Sequence, residues 1–241
     1  MSMRTRRGGF TTIDLIVVIA IVLILAVLVG VGLPMLTPRR HSHRGQMPNS
    51  NQLRSIQQSL VIYAETNKRS SNDGFFPGFD SSGSPIPDDP KTGYAGEGTQ
   101  PAARWVILLN ANYITPEYMI NPSDAIKSEA VMNTETNKYE GLTSENYSYA
   151  MLGLVGPDNR KSEWKETLNT SAIVMSDRAI GTNAKDISSV WTGRKSGDWR
   201  GTVVRNDNST AFETSQIFEH TKYGNADRNA LDDIFDDAPD A

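Results

Sequence analysis

The sequence predicts an α+β protein in which an N-terminal helix leads into a head of mixed helix and strand. Three observations predict it. Leu15–Leu33 is a run of 19 residues without a charge, made almost wholly of Leu, Ile, Val, Ala and Gly. Leu53, Ile56, Leu60 and Tyr63 recur at helical spacing, with Val61, Ile62 and Ala64 widening the same face. Farther on, Tyr147–Leu152, Ala172–Met175, Thr202–Arg205 and Thr210–Thr214 read as strands, and the last two flank Asn206-Asp207-Asn208-Ser209. Asn and Asp tolerate positive φ in tight turns, so this spacing is a hairpin signal.

The first element is the apolar run. At about 1.5 Å per helical residue it spans roughly 29 Å, close to the hydrocarbon thickness of a bilayer. Arg4, Arg6 and Arg7 precede it, the order expected of an export or membrane-insertion segment. The run is longer than the apolar core of a cleaved secretory signal, and no A-x-A site follows; instead come Pro34, Thr37, Pro38 and Arg39-Arg40. The sequence therefore predicts a retained, single membrane anchor over residues 10–34. With one such run, the chain is not a polytopic membrane protein. Asp14 lies just inside the apolar stretch. A carboxylate deep in a bilayer costs about 2.5–3.5 kcal/mol, less near a helix end where it reaches the interface. The simplest reading of Asp14 is an acid favoured by the dipole at a helix start.

Residues 35–50 read as a polar connector containing RRHSHR, with Pro34 and Pro38 breaking or kinking the helix. His41 and His43 stand two apart, too few ligands for a metal site. Ser50 or Asn51 can cap a second, amphipathic helix over 51–66. Residues 67–100 are rich in Ser, Gly, Pro, Asp and Asn and read as loop, with Phe75, Phe76 and Phe79 as aromatic anchors. Trp105, Leu108, Leu109 and Asn112 predict a short helix over 102–112, and the chain ends in an acidic tail.

The opening residues together, RRGGFTTIDLIVVIAIVLIL, resemble the prepilin leader shared by type IV pilins and type II secretion pseudopilins. Basic leader, Gly, Phe, an acid four residues on and an unbroken apolar run all fall in register. The resemblance implies a leader over 1–9 that a prepilin peptidase removes between Gly9 and Phe10 on the cytoplasmic side, followed by methylation of the new Phe10 amine. It implies that Asp14 serves assembly, pairing with that amine on a neighbouring subunit. It also implies the fold: one long N-terminal transmembrane and amphipathic α-helix, its outer half packed on an antiparallel β-sheet head, with residues 67–241 forming that head. Arg39, Arg40 and Arg44 oppose the usual inside bias of positive charge, but the leader fixes the N-terminus as cytoplasmic. Most family members carry Glu where this chain has Asp14. The segment SAIVMSDR, a loop with Trp and Gly, and VVRNDNSTAFETS are further similar to large pseudopilin-like proteins abundant in planctomycetes, although the Asp-Gly-His hairpin usual there is absent.

Charge and composition narrow the function. Residues 70–241 carry 15 basic against 26 acidic side chains, which argues against nucleic-acid binding by the head. Absence of cysteine from the 241 residues removes disulfide frameworks, Cys-based zinc sites and thiol nucleophiles. Besides His41 and His43 there is only His220, and no G-x-S-x-G motif accompanies it, so no catalytic residues and no enzyme are predicted. No phosphate-binding G-x-x-x-x-G-K-[ST] run is present, so the energy for assembly would come from a partner ATPase and its inner-membrane platform. No cofactor is predicted. The resemblance leaves calcium open as the one metal, since some pseudopilins hold it in a C-terminal loop; Asp232, Asp233, Asp236 and Asp237 would supply its oxygen ligands, and their simpler reading is a solvated acidic tail.

The expectation is a structural subunit of a type IV pilus or a type II secretion pseudopilus. It would sit in the bacterial inner membrane with a periplasmic head, or at the cell surface once assembled, among other pilin or pseudopilin subunits. The rival expectation is a monomeric, signal-anchored periplasmic binding protein or hydrolase.

Overall fold

A computed structural model describes residues 15–21, 43–68, 74–80, 83–86, 100–125, 127–154, 158–166, 169–181, 186–193, 197–218 and 232–235. The chain divides into two units, 1–41 and 42–241. In the first, residues 15–21 are helical, and the side chains of Leu15 to Ile19 and Ile21 are roughly half exposed.

The second unit begins with its longest helix, α1 (His43–Asn67). Leu53, Ile56, Leu60 and Ala64 are wholly buried and Tyr63 nearly so, the stripe that the periodicity predicts. Each such aliphatic side chain contributes about 1.5–3 kcal/mol on burial. The opposite face carries Asn51, Arg54, Gln58 and Glu65 in solvent.

Beneath α1 lies a four-stranded antiparallel sheet in the order β1 (Tyr149–Met151), β2 (Ile173–Asp177), β3 (Gly201–Arg205), β4 (Thr210–Glu213). Tyr149 pairs with Asp177, Ser176 with Val203, and Thr202 with Phe212. A register shift between Ile173 and Met175 marks a bulge in β2. The β3–β4 turn runs through Asn208, which takes φ 64°, a left-handed value that Asn accepts more readily than most residues. Helix α1 packs on β2, β3 and β4.

The rest of the head closes around this core. Helix α2 (Pro101–Asn110) buries Trp105, Leu108 and Leu109. The short helix α3 (Asp158–Glu163) leads into Trp164, which is wholly buried, donates from Nε1 to the Pro77 carbonyl at 2.8 Å, and meets Phe76 edge to face at 5.4 Å. Arg104 is buried with its guanidinium 4.6 Å over the Trp164 ring and donates to the Leu152 carbonyl at 2.8 Å. A two-stranded pair, β5 (Ile217–Phe218) with β6 (Asp232–Asp233), brings the C-terminal segment back, and Phe235 meets Trp199 at 5.3 Å.

Two expectations are corrected. The fold is α+β with a four-stranded antiparallel sheet, but one long N-terminal transmembrane and amphipathic helix is not what the described residues form. The helix on the sheet is α1, 25 residues long and polar over its first two turns, and no described helix is long and apolar enough to cross a membrane. Residues 22–42, where the apolar run ends and the predicted connector begins, lie outside the described residues. The second correction concerns where the amphipathic helix starts. Residues 43–50 belong to α1 rather than to a connector, and Pro48 lies inside the helix. Near a helix start its missing N–H leaves only the carbonyl of residue 44 without its bond. The docking of Gly45 and Asn49, described next, holds these turns in place.

Candidate functional site

All five residues of β2 are buried. A strand sealed in this way suits apolar side chains, so an ionisable group at its end must find partners. Asp177 finds five N–H contacts. Asn49 Nδ2 lies 3.1 Å from Oδ1 and 3.0 Å from Oδ2. Asn121 Nδ2 donates to Oδ1 at 2.8 Å, and Trp191 Nε1 and the Thr202 amide each donate to Oδ2 at 2.7 Å. Asn49 Nδ2 also reaches Thr202 Oγ1 at 2.9 Å. The Tyr149 hydroxyl shares its hydrogen between Asn49 Oδ1 at 2.8 Å and Gln52 Oε1 at 2.9 Å.

The donors come from separate parts of the head. Asn49 and Gln52 project from α1, Tyr149 from β1 and Thr202 from β3. Asn121 is fixed by a turn in which its Oδ1 accepts from the Ser123 amide at 2.8 Å and its carbonyl from the Asp124 amide at 2.8 Å. Trp191 is braced edge-on against Phe212 at 5.6 Å. Glycine is required where backbone comes close. A Cβ at Gly45 would overlap the Ser123 hydroxyl and stand 3.2 Å from the Trp191 ring. One at Gly201 would stand 2.7 Å from the Trp199 ring and 2.9 Å from the Asp177 Cβ. Both distances are shorter than side chains ordinarily adopt, so these two glycines let helix and strand close around the carboxylate.

An ion pair flanks the knot. Asp124, its side chain almost wholly buried, accepts from Arg178 Nε at 2.7 Å and Nη2 at 3.1 Å. Burial alone would raise the Asp124 carboxyl, but the hydrogen bonds and charge of Arg178 outweigh it and hold the group below its usual range. Asp177 goes the other way. Burial pushes its carboxyl up, opposed by the bonds from Thr202, Trp191, Asn49 and Asn121. Burial and the two nearby carboxylates push the Tyr149 hydroxyl up as well.

This arrangement is a joint rather than a reaction centre. Asp177 has no exposed surface and donors occupy both oxygens, so it cannot exchange a proton with a substrate. Its chemistry is to tie the first turns of α1 to three strands and two loops.

The residues singled out in the sequence fall elsewhere. Gly9, Phe10 and Asp14 lie outside the described residues, as do Asp236, Asp237, His41 and His220. Asp232 and Asp233 form β6, whose backbone pairs with β5. Among the described residues no group of three or more His, Cys, Asp or Glu is placed to hold a metal ion. Comparison with protein-family models, curated proteins and solved structures finds no match for the chain. Sequence reasoning missed Asp177. The available signal was SAIVMSDR itself, in which the apolar strand continues past Met175 to an acid with no apolar reason to be there.

Proposed function

We propose that the chain is a structural subunit, pilin or pseudopilin, of a type IV pilus or type II secretion filament. The observation that carries the proposal is the register of Arg6-Arg7-Gly8-Gly9, Phe10, Asp14 and the apolar run from Leu15 to Leu33. On this reading a prepilin peptidase cuts after Gly9 and methylates Phe10. The apolar run holds the subunit in the inner membrane, with the N-terminus cytoplasmic and the head periplasmic, until an assembly ATPase and its platform drive it into a filament. The Asp177 joint supports the reading. A filament subunit is pulled through its N-terminal segment, and the first turns of α1 are where that pull enters the head. The contacts of Asn49 Nδ2 with both oxygens of the Asp177 carboxylate and with Thr202 Oγ1, with Gly45 seated against Trp191, fasten those turns to the sheet.

The test is the mass of the mature N-terminus in protein extracted from membranes of the source cell. The expected species begins at methylated Phe10, and Gly9→Val leaves a precursor that begins before residue 10. An intact Met1 in the wild-type protein would instead favour a signal-anchored monomer.

A further inference from the structure

The outer side of α1 and the segment that follows α2 border an open groove of about 330 Å³. That volume lies at the small end of ligand clefts, about 300–1,000 Å³. Its walls include Gln58 and Ile62 from α1 and Asn112, Tyr113, Thr115 and Tyr118 opposite, and no charged side chain lines it. This is an uncharged island on an acidic head.

The groove is built rather than incidental. Ser59 Oγ donates to the Tyr113 carbonyl at 3.0 Å, and the Tyr113 ring meets Tyr63 edge to face at 5.5 Å. The amides of Asn112 and Tyr113 bond back to the last turn of α2 at 3.0 and 2.9 Å, with Asn112 at φ 58°. The wall is thereby fixed, yet several polar groups of the lining residues are uncommitted. The side-chain amides of Gln58 and Asn112 and the hydroxyls of Tyr113 and Tyr118 make no hydrogen bond to any described residue. Tyr118 is 40% exposed and Ile62 56%.

We propose that this groove binds a neutral oligosaccharide. Sugar hydroxyls match amide and phenol groups that both donate and accept, and the C–H face of a pyranose packs on a tyrosine ring. A charged ligand finds no counter-ion here. A peptide finds neither a free strand edge nor more than one exposed aliphatic anchor in Ile62. The site is independent of the filament reading, since it uses no residue before Ser55.

The experiment is calorimetric titration of the full chain, held in a zwitterionic detergent without a sugar headgroup. The probes are cellotetraose, maltotetraose, chitotetraose, tetragalacturonate as the charged counterpart, and a Gly/Ser-rich neutral peptide. The expected result is saturable binding of at least one of the three neutral sugars and none of tetragalacturonate. Tyr118→Ala and Gln58→Ala should each weaken that binding about fivefold or more without lowering the melting temperature. Tyr118→Phe, which keeps the ring, should retain most of it. The proposal is overturned if no neutral sugar binds, if tetragalacturonate or the peptide binds instead, or if both alanine variants bind as the wild type does.

Discussion

Asp177 concentrates the head's polar energetics in one side chain. Replacing it by Asn keeps the volume but turns one acceptor oxygen into a donor, aimed at N–H groups that cannot all turn away. Asn121 is held by its bond from the Ser123 amide, and Asn49 by the Tyr149 hydroxyl. Stranding buried donors costs about 1–3 kcal/mol each, so Asp177→Asn should lose about 3 kcal/mol, read as a lower denaturant midpoint at unchanged slope. The two buried acids have opposite pH signatures. Asp177, raised in the fold, binds its proton more readily folded than unfolded. Its contribution is therefore full below its unfolded value near 3.8 and is lost as pH rises through its folded value. Asp124, lowered by Arg178, contributes above 3.8 and loses that contribution as pH falls through its folded value. Arg178→Gln should accordingly cost about 1.5–3 kcal/mol at neutral pH, the range for hydrogen bonds to charged groups. That difference from wild type should shrink as the pH drops below 3.8, which unfolding curves recorded down a pH series would reveal. A gap that stayed constant with pH would mean that Arg178 acts by packing alone. Neither acid could be assigned from sequence, because an Asp inside a loop or strand carries no local mark of the groups that distant segments bring to it.

Helices and hairpin were more legible than their ends. The buried stripe of α1 was visible because Leu53, Ile56 and Leu60 repeat with the helical period, and the β3–β4 hairpin because Asn-Asp-Asn-Ser separates two apolar-rich runs. The start of α1 was hidden. Pro48 and the polar run before it read as connector, whereas the tertiary seat of Gly45 and Asn49 fastens this stretch to the head. Local propensity lost to docking there, as it often does in a short polar helical turn. The stripe and the seat should be separable by truncation. A fragment from Ser42 to the end should unfold in one cooperative transition. A fragment from Ser50 should still unfold cooperatively at lower temperature, having lost Asn49 and the seat of Gly45. One from Ser70 should show no cooperative transition, because the sheet face beneath Leu53, Ile56 and Leu60 is then bare. Equal melting of all three would place α1 outside the stabilising core.

At the scale of the whole molecule, the fold and the proposed role meet at the N-terminal segment. On the proposed reading, the leader and the apolar run can be read directly from sequence because membrane insertion and peptidase recognition would act on contiguous residues, whose chemistry is written in order along the chain. The head's groove and joint were not, since each is assembled from segments far apart in sequence. On the proposed reading Asp14 pairs with the Phe10 amine of an adjacent subunit where water is scarce, and removing one partner of such a pair costs about 3–5 kcal/mol. An unpaired acid at a helix start is worth only about 0.3–1 kcal/mol, so the two readings of Asp14 differ severalfold. The most direct measurement is the fraction of subunit recovered in sheared surface filaments, or crosslinked to neighbouring subunits, for wild type, Asp14→Glu and Asp14→Ala. Filament assembly predicts normal cleavage in all three, wild-type incorporation for Asp14→Glu, and near loss of incorporation for Asp14→Ala. Incorporation of Asp14→Ala at the wild-type level, or no filament association of the wild-type chain, would contradict it.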